Sequence, residues 1–253
     1  MSFLPKIGNE DLEVAFASKL HAALHRSNVR PVVFKPGSDI QHEGDAFSSV
    51  YLVKSGAAFS YALLADGHRQ ILFLHQPGDL AGFADFGMQR VSCSLRSVGQ
   101  SVLYPIPAAA FSEPSFLTPA VTPFLFKKAA QMQSILMRTL IAVGRMEARH
   151  RIVWLILMLH DRSDPPENSA GSVEMALNQT EIGDLLGLTN VSVSKFLCQL
   201  SEEGFIERKG TQILLRKRSD LEKMIGYEPM DFPVDIHSAG KALSPSITIA
   251  KRR

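Results

Sequence analysis

Asn178-Gln-Thr-Glu-Ile-Gly-Asp-Leu-Leu-Gly-Leu-Thr-Asn-Val-Ser-Val-Ser-Lys-Phe-Leu-Cys-Gln-Leu-Ser-Glu-Glu-Gly204 is the stretch around which the rest of the chain makes sense. It predicts two short helices and a tight turn. Asn178 suits the N-cap of the first helix, and Glu181, three residues on, can complete a capping box. Gly187 supplies a left-handed residue to end that helix, and Thr189 is placed to cap the next. Ile182, Leu185 and Leu186 point inward from the first helix. On the second, Val193, Leu197 and Leu200 fall at i, i+4 and i+7 and form one apolar stripe. Gly183 lets the second helix cross closely over the first. This is the pattern of a DNA-binding helix-turn-helix. The same spacing also suits a helical hairpin packed in another core, with Lys195 simply solvated; two consecutive caps and the glycine turn favour the first reading.

Opposite the apolar stripe, the second helix carries Val191, Lys195, Cys198 and Glu202, flanked by Asn190, Ser192 and Gln199. In a helix-turn-helix this face enters the major groove of double-stranded DNA. After it, Phe205 to Leu215 predicts a hairpin turning at Lys209-Gly210, a wing whose Arg208 and Lys209 suit phosphate contacts. Ser219 is placed to cap a last short helix, Asp220 to Ile225.

The chain has 253 residues and a net charge of +2, so a nucleic-acid footprint must be local rather than global. The longest apolar block, Ile152 to Leu159, is far short of a membrane span, and the N-terminus lacks the layout of a signal peptide. Cys93 and Cys198 give neither a disulfide framework nor a four-thiolate site. A reduced, cytoplasmic protein with no membrane partner is the expectation.

Residues Asp11 to Ser27 predict an amphipathic helix; His21 and His25 on it have metal-ligand spacing, but no third ligand accompanies them and no metal site is assigned. From Pro31 to about Phe111 short apolar runs alternate with turn residues. The runs are Val32–Phe34, Val50–Val53, Ala57–Leu64, Gln70–Leu74, Ser92–Arg96 and Val102–Ile106, which together predict an all-β roll or barrel. Thr118 to Gly144 predicts a long helix with a heptad seam at Leu125, Ala129, Met132, Leu136, Thr139 and Val143, a pattern that fits either packing on its own β-roll or pairing with a second copy. Glu147 to Asp161 predicts a second, strongly apolar helix, and 163–172 a loop.

Phe34-x-x-Gly37, Glu43-Gly44-Asp45, Val50-Tyr51-Leu52-Val53-x-Ser55-Gly56, Asp66-Gly67-x-x-Gln70-Ile71-Leu72 and Pro77-Gly78-Asp79-x-x-Gly82 resemble, as a set, the cyclic-nucleotide-binding β-roll. With the helix-turn-helix behind it, the chain from Val32 to Gly226 resembles the Crp/Fnr family. The resemblance implies an α+β protein with an N-terminal double-stranded, jelly-roll-like β-roll, a long dimerisation helix and a C-terminal winged helix-turn-helix. It implies a sensor domain over 1–117, a dimerisation helix over 118–145 and a DNA-binding domain over 146–226, leaving 227–253 as a tail. Its implied partners are double-stranded DNA, a second copy of the chain, RNA polymerase and a small-molecule effector.

Family members that bind cyclic AMP use a glutamate for the ribose and an Arg-Ser or Arg-Thr pair for the phosphate. The resemblance places Gly82, Phe83, Arg90, Val91, Ser92 and Thr139 at the effector pocket. Phe83 stands at the glutamate and Val91 at the hydroxyl, so the sequence argues against cyclic AMP bound in the usual mode. An alternative for Arg90 is a surface ion pair with Asp85. Residues 1–30 hold no cysteine group for an iron–sulfur cluster; His42, His68 and His75 do not select a heme ligand, and no cofactor is assigned. Cys198, one turn beyond Lys195, is a redox candidate if the lysine lowers its thiol pKa. On the reading face, family members with well-known operators use a glutamate at Val191 and an arginine at Lys195, some with a further arginine at Asn190, which implies a different operator here. No nucleophile elbow, phosphate loop or zinc-protease motif is present, so an enzyme is not expected. The remaining alternatives are a constitutive or cysteine-modulated regulator of the same family, and a cyclic-nucleotide signalling module whose C-terminal domain binds protein.

Overall fold

The computed structural model describes Leu24 and residues 29–113, 116–117, 121–162 and 171–229. The predicted Asp11–Ser27 helix with His21 and His25, and the chain beyond 229, lie outside these residues. Six strands make the N-terminal sheet: β1 (Val32–Phe34), β2 (Asp39–Gln41), β3 (Ser49–Leu63), β4 (Arg69–His75), β5 (Leu80–Ala81) and β6 (Ser94–Pro107). Their order is β1-β6-β3-β4, with β2 also on β6 and β5 also on β3, and every pairing is antiparallel.

Two expectations change here. The runs Val50–Val53 and Ala57–Leu64 are one 15-residue strand, and the second half of the roll, expected as Ser92–Arg96 and Val102–Ile106, is one 14-residue strand. The glycines between the runs mark bends inside paired strands rather than strand ends. At Gly56 φ is +74°, and a Cβ would lie 2.5 Å from the Gln100 carbonyl oxygen. The β3–β6 register shifts on either side of Ser55 while pairing continues to Tyr61, as a bulge does. β2 carries no apolar pattern; Arg96 holds its Asp39 with two hydrogen bonds, at 2.7 and 2.8 Å.

A single helix, α1 (Val121–Arg145), leads from the roll to α2 (Ala148–Arg162). All eight residues from Ile152 to Leu159 are buried, which explains their lack of amphipathic period. One apolar cluster joins Trp154 and its neighbours to Phe59, Ile71 and Phe73 of the sheet and to the helices that follow. Those are α3 (Gln179–Leu186) and α4 (Asn190–Glu202), followed by the hairpin β8 (Ile206–Lys209) and β9 (Gln212–Leu215) and by α5 (Arg218–Ile225). Strand β7 (Ser172–Glu174) pairs with β9, so the expected loop gives way to strand at Ser172. The hairpin turns at 210–211, one residue later than expected. Helix α5 begins at Arg218 after Lys217, with no side-chain cap, so Ser219 does not take the expected role. Tyr227, expected in the tail, is buried against this core and donates to Asp161 Oδ2 at 2.8 Å.

The two expected caps are present. Asn178 Oδ1 accepts from the Glu181 amide at 3.0 Å, and Glu181 Oε2 accepts from the Asn178 amide at 2.9 Å. Thr189 Oγ1 accepts from the Ser192 amide at 3.2 Å. Asn178→Ala is expected to lower stability by about 1 kcal/mol, read as a lower urea midpoint at unchanged slope.

Candidate nucleic-acid interface

The helix-turn-helix is built on its turn. Gly187 ends α3 at φ +64°. Gly183 permits the close approach expected of it, and the tightest contact is with the turn: a Cβ there would lie 2.5 Å from the Leu188 carbonyl oxygen and 3.8 Å from the Asn190 nitrogen that opens α4. Arg151 of α2 caps the end of α3, donating from Nη1 to the Leu186 carbonyl at 3.0 Å, while its Nε donates to the Met146 carbonyl between α1 and α2 at 3.0 Å. Sequence reasoning missed Arg151, whose partner lies 35 residues away with no local signal. It missed Arg149 as well, which grips Glu203 at the end of α4 with bonds of 2.9 and 2.6 Å.

With Val193, Leu197 and Leu200 buried, the opposite face of α4 is turned to solvent. Val191 is 79% exposed, an unusual setting for a large apolar side chain at the start of a helix. Asn190, Lys195 and Cys198 are exposed as well, with Ser192 and Gln199 half-buried beside them. The Ser192 hydroxyl lies 2.9 Å from Thr189 Oγ1, so it is shared with the cap. Lys195 Nζ lies 5.7 Å from the centre of the Phe196 ring. On the wing, Arg208 and Lys209 are exposed. Lys209 Nζ is 3.1 Å from Glu207 Oε1, and Arg216 also binds Glu207. These two cations hold the Glu207 carboxyl below its ordinary range, Arg216 contributing most.

The argument for Cys198 as a low-pKa thiol is overturned. Its Sγ donates to Glu202 Oε1 at 3.2 Å, and that carboxylate pushes the thiol pKa up rather than down. The Arg208 charge opposes this pull without reversing it. A thiol raised in this way is a weaker nucleophile at neutral pH.

In the β-roll, Gly82 precedes a 3-10 turn, Phe83–Asp85. The Phe83 ring stacks on Phe86 at 5.8 Å and meets Phe111 at 6.3 Å. Val91 is buried. Arg90 is exposed and donates from Nη1 to the Gly44 carbonyl at 2.7 Å, while Asp85 accepts from the Ser92 amide at 3.1 Å; the suggested Arg90–Asp85 pair does not form. Thr139 donates to the Ile135 carbonyl of its own helix at 2.8 Å. Gly82, Phe83, Val91 and Ser92 thus lie on the one segment between β5 and β6, where the Phe83 and Phe86 rings come together. Of the three roll histidines, His75 is fully buried, with Nε2 2.8 Å from Ser60 Oγ. Burial pulls its pKa down to about 4, against the opposing effect of Asp79.

Residues 150–224 match the family model described as a Crp-like helix-turn-helix domain, and residues 31–113 match that of the cyclic nucleotide-binding domain. The chain is 34% identical over 202 residues to the nitrogen fixation regulation protein FixK of Azorhizobium caulinodans, covering 77% of this chain and 78% of that protein. It is 25% identical over 179 residues to the transcriptional activator protein FnrA of Stutzerimonas stutzeri, covering 71% and 73%. Among solved structures, FixK2 from Bradyrhizobium japonicum superposes with a TM-score of 0.70 at 26% identity, over 79% of this chain and 98% of that one. A β-roll joined through a long helix to a winged helix-turn-helix, together with relatives named as transcription regulators, places this chain in the Crp/Fnr family as a DNA-binding transcription regulator.

Proposed function

We propose that the protein acts as a homodimer on a two-fold symmetric DNA site, with half-sites about one helical turn apart, and that cyclic AMP is not its effector in the usual mode. The exposed face of α4, with Val191, Lys195 and Gln199 beside a basic wing tip, is the observation that carries this reading. In it the β-roll is the sensing unit, α1 the dimer contact and 146–226 the reader of DNA. Val191 can pack only on a thymine methyl or a sugar, and Lys195 donates to guanine without the two-pronged fork of arginine. Asn190 and Gln199 border them, and Arg208 and Lys209 meet phosphates. FnrA is named a transcriptional activator, which supports RNA polymerase as a further partner.

The aromatic loop around Phe83 supports a signal less polar than a cyclic nucleotide. A second reading is binding without any effector, in keeping with the exposure of Val191 and Lys195 on α4. Gel shifts on a duplex selected from a random pool test both. Affinity that falls steeply with salt and ignores cyclic AMP supports the proposal; cyclic-AMP-dependent binding rejects it. Lys195→Ala is expected to weaken the selected site by roughly 1–3 kcal/mol and to relax one base pair. Equal losses on selected and random duplexes would mark Lys195 as a phosphate contact instead.

A further inference from the structure

The DNA-binding helices are held against the β-roll by polar bonds at the water-accessible edge of their apolar junction. Arg69 at the start of β4 donates from Nε to Asp184 Oδ2 of α3 at 2.8 Å, with Nη2 2.6 Å from the same oxygen. The next residue, Gln70, donates from Nε2 to the Leu185 carbonyl at 3.2 Å. Arg69 is aimed by rings beneath it: its guanidinium lies 5.0 Å from the centre of Phe59 and 5.8 Å from that of Tyr61. Tyr61 is held in turn by Arg96 at 5.3 Å and by its own hydroxyl bond to Asp39 at 3.0 Å. An open cleft lined by Tyr61, His68, Arg69, Arg96 and Asp184 brings solvent to the pair, whose side chains are 20% and 22% exposed.

We propose that Arg69 and Asp184 are positioning residues for DNA recognition: they latch the first helix of the helix-turn-helix to the β-roll and so fix the direction in which each recognition helix points. The proposal rests on the dimeric reading above. The latch lies away from the readers, since Val191 and Lys195 are exposed with it closed. It therefore does not mask the DNA face. Two heads already fixed relative to α1 lose less orientational freedom when both half-sites are engaged, so closing the latch raises the effective concentration of the second head. One half-site makes no such demand.

The test compares wild type with Arg69→Ala on two probes: the two-fold duplex that wild type selects from a random pool, and the same duplex cut to one half-site. Arg69→Ala is expected to lower affinity for the two-fold duplex about tenfold and to leave half-site affinity nearly unchanged. Arg69→Asp combined with Asp184→Arg should restore the two-fold affinity. Without DNA, small-angle X-ray scattering should show a broader range of overall dimensions for Arg69→Ala at unchanged circular dichroism. Equal losses on both duplexes, tighter binding to the two-fold duplex, or no change on either overturns the latch. If wild type selects no duplex, the regulator reading fails. The latch is still judged by scattering: identical profiles for wild type and Arg69→Ala reject it, and a broadened profile that the charge-swapped pair reverses supports it.

Discussion

Arg162→Ala is expected to destabilise the protein by about 3 kcal/mol, more than any single surface change in the DNA-binding helices. Arg162 ends α2, yet its oxygen partners belong to the β-roll. Its guanidinium binds Asp79, donates to the Leu74 carbonyl at 3.0 Å and stacks over Phe73 at 5.0 Å. The side chain is 12% exposed and that of Asp79 is 19%. Burial pulls the arginine pKa down and Asp79 opposes that pull, so the cation is tolerated because the carboxylate is there. Removing the arginine leaves a carboxylate at a largely dry junction with the Gln76 amide at 2.9 Å and Lys128 at 3.9 Å. Those partners keep the loss toward the lower end for a broken buried pair. The check is urea denaturation followed by tryptophan fluorescence, since Trp154 is buried in the cluster that spans the junction. Arg162→Met with Asp79→Asn should lose less than Arg162→Ala alone, because the Asp79 carboxylate is then not left without its arginine. A double variant as unstable as the sum of its singles would show that the two residues act independently.

Local patterns were legible in the sequence, and long-range partners were not. The capping box, the Thr189 cap and the αL glycine of the helix-turn-helix each depend on residues within four positions of one another, and all three form. The buried stripe on α4 follows from helical period alone. Arg149, Arg151, Arg69 and Arg162 bind residues 35 to 115 positions away, and nothing in a single sequence marks an arginine for a distant partner. Strand ends were misjudged because glycine marks both turns and bulges; at Gly56 the ladder bends and continues. Cys198 illustrates a different failure. Lys195 and Glu202 both lie about one turn from it, and the thiol takes the carboxylate as its partner. Which neighbour prevails is set by rotamers, which sequence spacing leaves open.

Leu140→Glu is expected to turn the proposed dimer into a monomer and to lower affinity for a two-fold DNA site by about 100-fold or more. The heptad seam drawn from sequence alone ran through Leu125, Ala129, Met132, Leu136, Thr139 and Val143. In the fold Leu125 is buried in the core of its own β-roll, and Met132 packs with Ile135 and Ala142 into the cluster shared with α2. Leu136 of that seam is 37% exposed, and the more exposed apolar residues lie one position further on: Phe126 is 73% exposed, Met137 61% and Leu140 74%, with Ala130 and Gln133 between them and Ile141 alongside. Phe126, Ala130, Gln133, Met137 and Leu140 also alternate by four and three. The chain's own core claims Val121, Leu125, Ile135 and Ala142 of α1 and leaves the stripe through Phe126, Met137 and Leu140 open to a partner, with a polar Gln133 at its centre of the kind that sets register in paired helices. A contiguous exposed apolar stripe on a long helix is what a second copy would cover. Glutamate at 140 would place two carboxylates face to face in that seam and desolvate both, while a residue so exposed in the single chain contributes little to its fold. Sedimentation equilibrium should therefore report a folded monomer for Leu140→Glu and a dimer for wild type. Thr139→Ala, whose hydroxyl is bound within its own helix, should remain dimeric. A dimeric Leu140→Glu would place the contact elsewhere on the chain.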